Sequence, residues 1–140
     1  NDHIPNSRSK LKTAKGNCKT KNIIYCATCS ICAKKYVGKS TQPCHKRVNG
    51  HRDSLRQYVN SQDVVTPTPD NEKFSLAWHI DKVHNIRSLT GMDDNFTFTI
   101  LEKCTPRSLD LKEHLWIQKL RTITPYGLNL YSPLGIPLLV

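Results

Sequence analysis

Four residues have the types and spacing of a tetrahedral metal site. Cys29 and Cys32 are separated by two residues, and His79 and His84 by four. Thiolate and imidazole are donors that zinc prefers, and C-x2-C with H-x4-H is a plausible structural zinc set. Residues five apart on an unbroken helix point roughly 140° away from each other. A helix carrying His79 must therefore end or tighten before His84. The bland reading of the four is two core thiols and two surface histidines. Cys26 lies at the same x2 spacing from Cys29 and is an alternative ligand, and Cys18 is another. The six cysteines, at 18, 26, 29, 32, 44 and 104, are an even number that disulfides in a secreted chain would also need. The crowding of Cys26, Cys29 and Cys32 favours metal binding and a reducing compartment instead.

A second group has acid–base character. Glu113 sits four residues after Leu109 and three before Trp116, on the apolar stripe Leu109, Trp116, Leu120. A carboxylate there is costly to bury alone, so it either pairs with a cation at the core edge or binds a metal. Arg47 and His51, four apart, project from one helix face. Arg offers a planar fork for phosphate oxygens, and His can relay a proton near neutrality; on a basic helix both are also ordinary surface residues. Tyr25 and Tyr36 are strand tyrosines, whose usual work is packing. Asn129, after Pro125-Tyr126-Gly127-Leu128, reads as a turn residue.

The elements that must position these groups follow from residue pattern. Ile23-Ile24-Tyr25 and Tyr36-Val37-Gly38 read as two strands of a hairpin whose tip carries Cys29 and Cys32. Thr41 to about Tyr58 is predicted helical, with Cys44, Val48, Leu55 and Val59 on one face. Gly50 inside it costs about 1 kcal/mol relative to alanine, which predicts close packing there. Residues 61–71 are predicted as a loop, 72–82 as a helix and 85–95 as another loop. Phe96 to Ile100 alternates as a half-buried strand. Thr105-Pro106 opens a helix to Leu120, and the remainder is mostly irregular. The order β, β, α, α, β, α predicts an α/β domain, a three-stranded sheet flanked by helices.

Lys plus Arg number 21 against 11 acidic residues, a net charge of +10 over 140 residues. That excess favours a polyanionic partner. No apolar run approaches the roughly 18 residues of a membrane span, so a soluble, intracellular protein with no membrane partner is expected. The chain starts with Asn and its one methionine is Met92, so a fragment of a longer polypeptide is expected. Residues 1–21 read as a basic flexible arm or linker, 22–130 as the domain and 131–140 as a tail whose apolar end is a candidate dimerisation surface.

Taken in order, Ile23-Ile24-Tyr25, Tyr36-Val37-Gly38, Arg47-x3-His51, Glu113 and Asn129 resemble the GIY-YIG nuclease family over about residues 22–130. Ile23 stands where that family has its first glycine. The resemblance implies a small GIY-YIG-type domain with an antiparallel sheet. It also implies one catalytic magnesium or manganese ion on Glu113 and phosphodiester hydrolysis at Tyr25, Tyr36, Arg47, His51 and Asn129. In that reading Tyr25 is the base and Tyr36 its hydrogen-bonding partner. An unaided tyrosine, with pKa of about 10, is a poor base, and Arg47 and His51 are expected to lower that barrier. A cysteine pair between the two tyrosines, with later histidines, is similar to the nuclease domain of Penelope-like retroelements. This implies a nuclear DNA nickase working beside a reverse transcriptase and the element RNA. The alternatives are a zinc-stabilised nucleic-acid-binding module without catalysis, and a repair or restriction nuclease on the same scaffold.

Overall fold

The computed structural model describes residues 3–4, 16–61 and 66–135. Among the described residues four strands form one sheet: β1 (His3–Ile4), β2 (Ile23–Cys29), β3 (Lys35–Ser40) and β4 (Phe96–Lys103), in the order β1-β4-β2-β3. The pairings of β2 with β3 and β4, and of β1 with β4, are all antiparallel. The helices are α1 (Cys44–Asn60), α2 (Ser75–Lys82), α3 (Gly91–Asn95) and α4 (Leu109–Leu120). 3-10 turns at Pro69–Phe74 and Pro106–Ser108 lead into α2 and α4. The expected small α/β domain with a three-stranded antiparallel core is present, and β1 adds a two-residue edge.

β2 is the central strand, and its alternation divides the core. Ile23, Tyr25, Ala27 and Cys29 point to one face, where Phe96, Phe98 and Ile100 join them against α1 and α2. Ile24 and Val37 point to the other, against Leu109 and Ile117 of α4. Helices on both sides of a sheet can bring side chains to one place only around an edge, and β3 is the edge concerned.

Several expectations need correcting. Within the expected arm, His3–Ile4 is a strand on β4, and the carbonyls of Thr20 and Cys18 accept from Cys44 N and His45 N at 3.1 and 2.8 Å. Those carbonyls satisfy helix N–H groups that Pro43 cannot cap with a side chain. The rest of the arm (1–2, 5–15), residues 62–65 of the expected loop and 136–140 of the tail lie outside the described residues. α3 occupies the end of the predicted loop 85–95, a single turn too short for periodicity to reveal. The α4 stripe is Leu109 and Ile117, with Trp116 and Leu120 only partly buried. On α1, Tyr58 is buried where Val59 was expected, and Gly50 packs closely against nothing: an added Cβ would find no atom within 4 Å.

Candidate functional site

The cysteine–histidine cluster forms where the hairpin meets the end of α2. Cys29 closes β2, and Cys32 lies in the turn before β3; Ala33 takes positive φ and donates back to the Cys29 carbonyl. His79 lies within α2, which ends at Lys82, so His84 falls beyond the helix as the spacing demanded. The donor atoms of Cys29, Cys32, His79 and His84 all lie within 4.8 Å of one another. Cys29 Sγ is 3.5 Å from His84 Nε2, and Cys32 Sγ is 3.3 Å from His79 Nε2. A tetrahedron with zinc–sulfur and zinc–nitrogen bonds of usual length has edges of about 3.4–3.8 Å, so the four residues could hold a metal such as zinc. Burial, and then His84, push the His79 pKa down to about 4, which keeps the ring neutral as a ligand must be. Cys26, one strand residue from Tyr25, falls on the opposite face of β2 from Cys29. Its sulfur sits 3.6 Å from Thr28 Oγ1. Cys18 lies by the start of α1, where its carbonyl meets His45.

The second assembly is a cleft of about 420 Å3 at the β3 edge. Its wall includes Tyr36, Lys39, Arg47, Glu72, Glu113, Asn129 and Tyr131. Tyr36 and Lys39 come from opposite faces of β3, Arg47 from α1 on the Tyr36 side, and Glu113 from α4 on the Lys39 side. Sequence reasoning missed Lys39 and Glu72. Lys39 forms an ion pair with Asp110, and its charge also acts on Glu113.

Arg47 ties this wall to two buried side chains behind it. Arg47 Nε donates to the Tyr25 hydroxyl at 3.1 Å, and that oxygen is 2.6 Å from His51 Nε2. Tyr25 is 1% exposed and His51 4%, so the hydroxyl proton needs an acceptor. A neutral His51 with its proton on Nδ1 supplies it. Gly38 makes room for this arrangement: a Cβ there would overlap the Tyr25 ring carbon and hydroxyl. Burial pushes Tyr25 up to about 12, outweighing the pull of Arg47. Burial, and then Arg47, push His51 down to about 3. The expected lowering by Arg47 is therefore real but smaller than desolvation. His51 is neutral across the physiological range, an acceptor and not a titrating switch. Tyr36 too is raised well above its usual value, by burial and then by Tyr25 and Glu72.

Glu113 is half-buried, and among the described residues its carboxylate accepts no hydrogen bond and closes no ion pair. Burial raises it to about 7, against Lys39 and with the help of Glu72 and Asp110. A carboxylate without hydrogen bond on an open cleft could serve as one ligand of a hard divalent ion that keeps several waters. Asn129, by contrast, is fully engaged. It accepts from Val37 N and Thr122 Oγ1 at 2.8 and 2.6 Å and donates to Val37 O at 2.8 Å. It pins the free edge of β3, which holds Tyr36 in place. Comparison with family models, curated proteins and solved structures returns no match.

Proposed function

We propose that this chain is a metal-dependent DNA endonuclease of the GIY-YIG kind that nicks one strand of a duplex, with a structural zinc at Cys29, Cys32, His79 and His84. The observation that carries the reading is Glu113: a half-buried carboxylate raised to about 7, without hydrogen bond or ion pair among the described residues, in one cleft with Arg47 and Tyr36. Burying such a group has no structural benefit, and it leaves a donor open to a cation. A magnesium or manganese ion held there would stabilise charge on the departing 3′-oxygen. Arg47, fixed by Tyr25, presents its guanidinium to the phosphoryl oxygens. The net charge of +10 favours DNA as substrate. The order of motifs resembles the nuclease domain of Penelope-like retroelements. On that resemblance the neighbouring partners are a reverse transcriptase domain and element RNA, and the compartment is the nucleus.

One observation favours a second reading, a nucleic-acid-binding module without catalysis: Tyr25 is buried behind the cleft wall and raised to about 12. Supercoiled plasmid separates the two. Purified protein with manganese or magnesium should convert it to nicked circles, and EDTA should stop this. Retardation of plasmid with no cleavage under any divalent ion would establish the binding module instead.

A further inference from the structure

Three carboxylates line the cleft, Asp70, Glu72 and Glu113, and hydrogen bonds set Glu72 apart. Among the described residues Glu113 accepts no hydrogen bond, whereas both oxygens of Glu72 are in use. Oε2 accepts from Leu130 N at 2.7 Å, and Oε1 accepts from the Tyr36 hydroxyl at 3.3 Å. Nothing about Glu72 is visible in local sequence; it reaches the cleft because the 3-10 turn Pro69–Phe74 is clamped to the segment carrying Asn129. Ser75 Oγ donates to Leu128 O at 2.5 Å just beyond it. Glu72, Tyr36 and Asn129 thus form one continuous support, and of the two tyrosines Tyr36 is the one on the cleft wall.

We infer that Glu72 is a positioning residue that turns Tyr36 into the proton acceptor for the attacking water, an inference that rests on the nuclease reading. With its own proton committed to Glu72 Oε1, the Tyr36 oxygen is left with lone pairs for a water. As water attacks phosphorus, its proton passes to the Tyr36 oxygen and the Tyr36 proton passes to Glu72. The new oxygen–phosphorus bond forms, the bond to the 3′-oxygen breaks, and the departing oxygen keeps that electron pair and is protonated from solvent. The phenol never has to exist as a free phenolate, which its buried setting would oppose. Tyr25 then serves from behind, holding Arg47.

The test is single-turnover nicking of a duplex with protein in excess, using Glu72→Gln, Tyr36→Phe and the double variant. Glutamine fits the same clasp and can still accept from Leu130 N, so melting temperature and affinity for uncleaved duplex should hold. The nicking rate should fall about 100-fold, the scale of a lost general-base step. Both single variants should be slowed alike, and the double variant no further. In H2O–D2O mixtures the wild type should show a bowed dependence, from two protons in flight, and Glu72→Gln a straight one. Nicking by Glu72→Gln at the wild-type rate would overturn the inference while leaving the nuclease reading intact. So would a loss that tracks duplex affinity or melting temperature, or rate losses that multiply in the double variant. A wild-type protein that nicks nothing would overturn the nuclease reading, and this inference with it.

Discussion

At the tip of the β2–β3 hairpin, Cys29 and Cys32 meet His79 and His84; along the edge of the same hairpin, Tyr36 and Lys39 meet Arg47, Glu72 and Glu113. The first group has four soft donors for one tetrahedron and no vacant position in it. The second has, at an open cleft, a half-buried Glu113 that accepts no hydrogen bond among the described residues, beside a Glu72 with both oxygens in use. A closed donor set is the mark of a structural metal, and an open one leaves room for water and substrate. The 69–82 segment links the two: Glu72, near its start, reaches the cleft, while His79, near its end, reaches the cluster. Stability should therefore depend on the cluster and chemistry on the cleft, with influence running from cluster to cleft and not back.

The largest effect should come from breaking the cluster. Structural zinc supplies on the order of 10–16 kcal/mol in small fingers, against roughly 5–15 kcal/mol for the stability of a whole domain. Cys29→Ser or His84→Ala should abolish zinc content, measured by atomic absorption, and lower the melting temperature by roughly tens of degrees. Added magnesium should not restore either. Cys26→Ser should retain its zinc, because that thiol faces the other side of β2. A metallated Cys29→Ser protein beside a metal-free Cys26→Ser one would reverse the choice of pair.

Glu113→Gln should do the opposite, abolishing nicking while stabilising the zinc-loaded protein in the absence of magnesium or manganese. The carboxyl is raised from 4.5 to about 7 in the fold, first by burial. A raised folded-state pKa stabilises fully below the unfolded value and less as pH rises through the folded one. With zinc retained and no magnesium or manganese added, wild type should thus lose stability relative to the glutamine variant between about pH 4.5 and 7, and the difference should level off above. Glutamine should remove the Glu113 contribution and gain up to about 3 kcal/mol over wild type at pH 8, at 1.36 kcal/mol per pKa unit. Denaturant melts of zinc-loaded protein at pH 5 and pH 8, with no magnesium or manganese added, read this directly. A difference between variant and wild type that does not change with pH would place the titrating charge elsewhere.

Between these lies Gly38. A methyl group there would overlap the Tyr25 ring, and overpacking of a filled core costs about 1–3 kcal/mol. Displacing Tyr25 would also move Arg47, and misplacement by about 1 Å can cost 100-fold in rate. Gly38→Ala should keep its zinc yet lose far more nicking than stability. Equal losses would mean that Tyr25 is only core.

The sequence made the cluster readable because metal ligands announce themselves by spacing, and H-x4-H even forecast the end of α2 before His84. Glu113 was readable because a carboxylate on an apolar stripe breaks a pattern. Glu72 broke none. It lies in a stretch where Pro69, Asp70 and Asn71 signal only a turn, and its partners Tyr36 and Leu130 are 36 and 58 residues away. Nor could residue type foretell that burial would outweigh Arg47 at Tyr25, since desolvation depends on packing from Phe98 and His51. The short α3 and the β1 pairing share that cause: both are completed by tertiary contacts and carry no periodicity of their own.

Gly50 belongs to neither site and sets the baseline for both. It sits on α1 between Arg47 and His51, yet an added Cβ would meet nothing within 4 Å. Glycine in a helix interior costs about 0.8–1.0 kcal/mol relative to alanine because it loses more backbone entropy on folding. With no steric charge to set against that gain, Gly50→Ala should raise the melting temperature by roughly 2–8 °C, smallest of the effects here and opposite in sign to that of the cluster variants. Zinc content should not move, because no donor is touched, and the nicking rate should not move, because Arg47 and His51 keep their contacts to Tyr25. Calorimetry and the plasmid assay on one preparation would measure all three. A gain in stability accompanied by weaker duplex binding would mean that DNA lies against this turn of α1, and that the open space beside Gly50 belongs to the substrate path and not to solvent.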